Sequence, residues 1–408
     1  MKLFQISSSI GNLGSTASDA EGIGKAALER GWESYVAYGR DHTESASNLI
    51  KVGNKFTFYT HIIISRMFDS EGHGSVLATK KLIKEIKRVN PDLIILHNLH
   101  GYYLNYSILF DFLSKCDKQI IWSLHDCYAF TGHCTYFESV KCEKWKTECH
   151  DCPLKKSYPS SLFFDNSRRN FRYKKKWALS IKNMTIVTVS DWLKSLVEQS
   201  FLGHYPVMRI YNGINIEIFR YRNDLSHLYP GKRILFGVAN RWIIGKGIYD
   251  YLELAKILPG DCLILLAGTI DDESIRNNLP NNVINIGRVN DRVVLAQYFS
   301  RADVTLNLSY QETMGLTSAE SMACGTPVVA YNATASPELI SSETGRVVPP
   351  GNISAIAKAI QSLMEKDKAS YMDVCRQRVI DNFEEMSNFG KYLDLYKLRA
   401  RIEICPLC

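Results

Sequence analysis

Gln311–Tyr331, QETMGLTSAESMACGTPVVAY, is delivered by the apolar run Val304–Leu308 and carries a loop, a helix and the next strand in one stretch. Gly315 lies in the loop, and from Thr317 the chain reads as a helix. Thr317 can cap it, Ala319, Met322 and Ala323 are good formers, Gly325 ends it and Pro327 prevents resumption. Val328–Ala330 then reads as a buried strand. Strand, helix and strand in that order form the repeating unit of a doubly wound parallel α/β sheet. Two carboxylates, Glu312 and Glu320, bracket the helix start. A helix N-terminus presents unpaired N–H groups and partial positive charge, which suits an anionic ligand such as a diphosphate. A purely structural alternative is open as well: Thr317 to Glu320 matches a capping box, in which Glu320 bonds the backbone at Thr317.

Working outward, the same alternation precedes this stretch. Arg233–Val238 reads as a strand, the loop NRWIIGKG follows with Arg241 and Lys246, then a helix Tyr249–Ile257 and a strand Cys262–Ala267. The first half repeats the pattern independently. Lys2–Ile6 is an apolar strand, SSSIGNLGSTASD a glycine loop, Ala20–Arg30 a helix and Ser34–Ala37 the next strand. Gly14, Ser15 and Thr16 in that loop could let backbone amides approach a phosphate. Two later strands, ending at Leu96 and Leu124, are followed by His97 and His100 and by His125 and Asp126, where open parallel sheets place ligands. We therefore expect an N-terminal domain over 1–204, a linker over 205–219 with a turn at Asn212 and Gly213, a C-terminal domain over 220–385, and a tail over 386–408 packing back on the first domain.

With 408 residues, 46% hydrophobic and 22% charged, the chain can build two cores. No apolar run approaches a membrane span, and MKLFQISSSIGNLG opens like a core strand rather than a signal peptide, so a cytoplasmic place is expected. A formal charge of +7 is modest for this size and gives no sign of nucleic acid. It is compatible with an anionic membrane surface, for which the run Arg168–Lys176 and the basic amphipathic helix Lys80–Val89 are the expected contacts.

Residues 127–159 interrupt the alternation. Cys134, Cys142, Cys149 and Cys152 could complete a four-thiolate tetrahedral zinc site, folding a segment with little core of its own. Buried reduced thiols and a disulfide are the alternatives. The tail pair Cys405 and Cys408 has no partner cysteines nearby in sequence and reads as free thiols.

Taken together, the two strand-helix sheets, the linker, Arg241 with Lys246, and Glu312 with Glu320 resemble a GT-B glycosyltransferase, two doubly wound Rossmann-like domains facing a cleft. More narrowly, the chain is similar to glycosyltransferase family 4, the group 1 transferases, and to a branch that builds bacterial surface polysaccharides. The resemblance implies a retaining, metal-independent hexosyltransferase that takes a nucleotide sugar, of UDP type, to a lipid-linked saccharide acceptor, peripheral to the inner face of the plasma membrane. It gives Arg241 and Lys246 the diphosphate, Glu320 the ribose hydroxyls and Glu312 the transferred sugar. The amides of Thr313, Met314, Gly315 and Leu316 take sugar and phosphate oxygens, His125 touches the donor sugar, and Gly14, Ser15 and Thr16 approach the diphosphate or acceptor. Ala17, Ser18 and Asp19 depart from the family, which often carries glycine and a basic residue there; an acid so placed weakens any phosphate contact. Cofactors are limited to the structural zinc. Two rival readings are a sugar-nucleotide epimerase or hydrolase of the same fold, and a non-catalytic zinc-bearing module for anionic polymers.

Overall fold

The computed structural model describes residues 1–404, with side chains to Tyr396; Cys405 and Cys408 lie outside the described residues. The chain forms two compact units, Met1–Asn212 joined by the chain returning from Met386, and Gly213–Glu385.

The first unit is a seven-stranded sheet of β1 (Lys2–Ser7), β2 (Glu33–Tyr38), β3 (Asn48–Lys51), β4 (Leu93–Leu96), β5 (Gln119–Leu124), β6 (Met184–Thr188) and β7 (Val207–Arg209), in the order β3-β2-β1-β4-β5-β6-β7. Every pairing is parallel. The central strands are apolar on both faces because helices cover both, which is why LIIL and QIIWSL show no alternation. The order reverses between β1 and β4, so the carboxyl ends of those strands open a crevice.

The helix after β1 spans Ser15–Glu29, earlier than the expected Ala20–Arg30. Gly14, with φ at 113°, ends the loop in a conformation other residues resist, and Ser15 and Thr16 fall in the first turn. Phe389, Tyr392 and Leu393 from the returning chain are buried with Leu3, Ile23, Trp32, Ile121 and Val187. The tail is thus part of this unit's core, fixed further by a Tyr392 to Ser123 hydroxyl bond of 2.8 Å and an Arg30–Asp394 ion pair of 2.7 Å.

The second unit holds β8 (Arg233–Arg241), β9 (Cys262–Thr269), β10 (Val283–Gly287), β11 (Val304–Asn307), β12 (Val328–Tyr331) and β13 (Gly345–Val348), ordered β10-β9-β8-β11-β12-β13 and parallel throughout. Its switch point lies between β8 and β11. The expected linker 205–219 divides between the units. Ile210 joins the first core, whereas Ile214 donates its amide to Phe383 O at 2.7 Å and Phe219 is fully buried. Apolar side chains on both sides of Asn212 leave no free spacer.

Residues 127–159 contain three short 3₁₀ turns. Contrary to expectation, the segment has a core: Trp145 stacks on Phe137 at 5.1 Å and meets Phe130 at 5.3 Å, all three buried. Three aromatic side chains supply the burial that the segment otherwise lacks.

Candidate active site

In the second unit the loops leaving β8 and β11 meet at the switch point. Gly245 O accepts from the Tyr310 amide at 3.0 Å, and Gly247, at φ 73°, passes so close that a Cβ there would lie 2.2 Å from Leu308 O. This approach brings Lys246 Nζ to 2.6 Å from Glu312 Oε1. The Glu312 backbone is held from the far side by Thr334 Oγ1, which accepts its amide at 2.8 Å. Arg241, at the end of β8, pairs with Asp271, with Nε 2.6 Å from Oδ2. Arg241 is exposed, so its pairing with Asp271 is exchangeable.

Gly315, at φ 91°, begins the helix Leu316–Ala323, and no side chain caps it. The capping-box alternative is therefore overturned: the helix begins one residue before Thr317, on a left-handed glycine. Its open first turn follows directly from Glu312. Asn307 Nδ2 donates to Ser318 Oγ at 2.9 Å and Ser321 Oγ to Thr305 Oγ1 at 2.7 Å, tying the helix to β11. Glu320 is half-buried, and burial pushes its carboxyl up to about 7, with Arg292 opposing. Thr313, Met314, Gly315 and Leu316 occupy the turn between the two carboxylates.

The first unit's switch point has different chemistry. A pocket of about 410 Å³ at the ends of β4 and β5 is lined by His97, His100, Trp122, His125, Asp126 and Tyr128 among others. His125 Nε2 lies 3.2 Å from His97 Nδ1, and His97 Nε2 is 2.9 Å from Gln5 Oε1, whose amide nitrogen donates to Ala20 O at 2.8 Å. Read from Gln5 outward, His97 carries its proton on Nε2 and accepts at Nδ1, so His125 donates from Nε2. His125 Nδ1 then faces Asp19 Oδ2 at 3.4 Å. Burial lowers His125 to about 4, so it is neutral at pH 7, and burial likewise raises the Asp19 carboxyl well above its ordinary value. Asp19, which sequence placed in the loop as a threat to phosphate binding, points inward to this chain of side chains.

His100 Nε2 and Asp126 Oδ2 are 2.7 Å apart, and Tyr158 Oη is 3.2 Å from His100 Nδ1. Burial alone would raise Asp126, but His100 and the Tyr128 amide hold it below the usual carboxylate range. Sequence reasoning noted His100 and Asp126 separately; their spacing gives no sign that they pair. Of the loop residues, Thr16 Oγ1 accepts from Asn98 Nδ2 at 3.3 Å, and Gly14 and Ser15 sit beside it at the helix start.

Cys134, Cys142, Cys149 and Cys152 all line one pocket of about 290 Å³. Cys149 Sγ accepts the Gly132 amide at 3.2 Å, and Cys134 hydrogen-bonds Cys152, which lowers the latter's thiol. Among the described residues no group of three or more His, Cys, Asp or Glu is arranged to hold a metal ion.

Residues 222–379, inside the second unit, match the family described as glycosyl transferases group 1. Through this domain the chain is similar to the group 1 glycosyltransferases. Over 355 residues it is 25% identical to a putative colanic acid biosynthesis glycosyl transferase, WcaC, of Escherichia coli, covering 82% of this chain and 84% of that protein. Among solved structures, the sucrose-phosphate synthase of Thermosynechococcus elongatus superposes with a TM-score of 0.72 at 19% identity, covering 98% of this chain and all of that one. Anabaena HepE, in complex with UDP and glucose, gives 0.66 at 16% identity, with 98% and 100% covered. These likenesses establish the GT-B fold for both of the chain's sheets.

Proposed function

We propose that this transferase moves a hexosyl or N-acetylhexosaminyl group from a UDP-sugar, with retention, to a lipid-linked saccharide during assembly of a surface polysaccharide. The observation that carries the reading is the Lys246–Glu312 pair at the second unit's switch point, 2.6 Å apart beside an uncapped helix start. The UDP named for HepE and the colanic acid biosynthesis named for WcaC support donor and pathway class.

The chemistry follows from charge. As the bond from sugar to phosphate breaks, negative charge grows on the departing diphosphate. Lys246 and Arg241 supply cations for it, and the helix start at Gly315 supplies amides. These groups need no metal, so the transfer is proposed to be metal-independent. Glu312, released from Lys246, takes sugar hydroxyls, and Glu320 as a carboxylate accepts the ribose hydroxyls. With no nucleophile assigned, the departing phosphate takes the acceptor's proton on the face it leaves, which retains configuration. His125 keeps its contact with the donor sugar on family resemblance alone, since its ring nitrogens face His97 and Asp19.

Thermal shift against UDP and a panel of nucleotide sugars, followed by NMR of the product anomer, tests the reading. UDP-dependent stabilisation and a retained anomer support it; an inverted product sinks the mechanism, and turnover unaffected by acceptor turns the reading to a hydrolase or epimerase. Structural zinc at the four thiols is a separate proposal: one zinc per purified chain supports it, and none removes it. The non-catalytic module loses part of one motive, the basic run, because Lys174 is buried, donating to Tyr128 O at 2.7 Å.

A further inference from the structure

The helix Lys55–Phe68 in the first unit turns an apolar face to solvent. Phe56, Tyr59 and Ile63 share one side of it, Phe56 77% and Ile63 62% exposed. His61 and Ser65 on the opposite side are buried, and His61 Nδ1 meets Ser75 Oγ at 2.9 Å, which fixes the helix's rotation. The exposed face is therefore not free to roll inward.

The patch continues past the helix. The Leu162 amide donates to Arg66 O at 2.7 Å, and Phe164 stacks on Phe68 at 5.7 Å, so the loop Leu162–Phe164 is seated on the helix end. Its three large side chains stay exposed, Phe163 at 61%. At the other end, Leu77 opens the helix Val76–Val89 with 71% exposure. Large apolar side chains left exposed together on neighbouring elements mark an interaction site.

Charge decides the partner. Lys55–Phe68 contains no Asp or Glu, and its cations Lys55 and Arg66 stand exposed near its two ends. The helix Val76–Val89 exposes Lys80, Lys81, Lys84 and Lys87, while its single acid, Glu85, is paired with Arg88 at 2.8 Å. Aromatic and aliphatic tips within a rim of cations match the boundary between headgroups and acyl chains of an anionic bilayer. Among the described residues no helix is long and apolar enough to cross a membrane, so the contact is one of lying on the surface.

We propose that this face docks the transferase on anionic lipid, with Phe56, Ile63, Leu162 and Phe163 entering the headgroup boundary and Lys55, Arg66 and the Lys80–Lys84 cations on lipid phosphates. The expected basic run Arg168–Lys176 turns only part of its charge outward, with Lys175 and Lys176 exposed. Arg169 bonds Ser70 at 2.8 Å, and Arg168, Arg172 and Lys174 are engaged within the fold. The proposal rests on the lipid-linked acceptor reading for its purpose, yet its test involves no turnover.

Flotation of the full chain with phosphatidylcholine vesicles, with and without phosphatidylglycerol, measures the docking. Binding should require the anionic lipid and weaken as salt rises. The double variant Phe56→Ser/Ile63→Ser should bind about a hundredfold more weakly, roughly tenfold per large apolar side chain. Lys55→Gln/Arg66→Gln should weaken binding by about tenfold or more and flatten its salt dependence. Circular dichroism and UDP affinity, both expected unchanged, confirm that each variant is folded. Failure of the native chain to float overturns the proposal, as does equal binding by the double variant. A dimer in solution that Phe56→Ser dissolves assigns the face to a second copy instead. Vesicle binding without UDP affinity sinks the proposed function and leaves the docking standing; UDP affinity without vesicle binding does the reverse.

Discussion

The two units share one strand order and one switch point, yet the carboxyl ends of their strands hold opposite chemistry. In the first, His97, His125 and Asp19 form a buried chain in which burial lowers both histidines and raises the carboxyl, disfavouring charge on each. In the second, Lys246, Glu312 and Arg241 are ionic and partly or largely exposed. A fold supplies a crevice; side chains at strand ends decide whether it takes a polyanion or a neutral, hydroxyl-rich molecule.

The largest effect that could break this contrast is catalytic. Lys246→Met should lower turnover by about 100- to 1,000-fold, the range for removing one preorganised charge partner in the transition state. Steady-state kinetics with saturating acceptor checks it, and a loss under tenfold would take the diphosphate away from Lys246. Next, Glu320→Gln should weaken UDP binding by about ten- to a hundredfold, as expected for a hydrogen bond to a charged group worth roughly 1.5–3 kcal/mol. Calorimetric titration at pH 8 measures it.

The pH responses of the units should also diverge. Glu320, raised to about 7, holds a proton in the folded chain that the unfolded chain releases near 4.3, so its contribution falls as pH rises between those values. His125 is lowered to about 4, and the unfolded state takes up its proton near 6.5, so its contribution is lost as pH falls from there. Asp126, held low, adds to the acid loss as pH falls through its folded value. Hydrogen exchange at pH 5 and pH 7.5 should show the Glu320 helix tightening on acidification, while the first unit, where His125 loses and the raised Asp19 gains, tightens less or loosens. Uniform loosening would end the contrast. The smallest effect is structural: Tyr392→Phe, which removes the bond to Ser123, should cost about 1 kcal/mol in denaturant melting and leave UDP affinity unchanged.

Sequence made the second unit's site legible because its parts are local: Lys246 and Glu312 each follow a recognisable strand within a few residues, and Gly315 announces the turn. It left the first unit's chemistry unread because Asp19, Gln5, His97 and His125 lie on separate elements and meet only when the sheet forms. The helix Lys55–Phe68 escaped for another reason. KFTFYTHIIISRMF is apolar around most of its circumference, so its periodicity names no buried face.

By itself, then, the sequence determined two parallel sheets, their order along the chain and the charged set at the second switch point, since strand period and strand-end loops are written in neighbouring residues. Only the tertiary structure decided which tail side chains, Phe389, Tyr392 and Leu393, complete the first core, that Lys174 is buried while Lys55 is exposed, that Glu320 is no cap, and that four cysteines share one pocket. Each of those depends on which distant surfaces exclude water from one another, and that is a property of the packed chain alone.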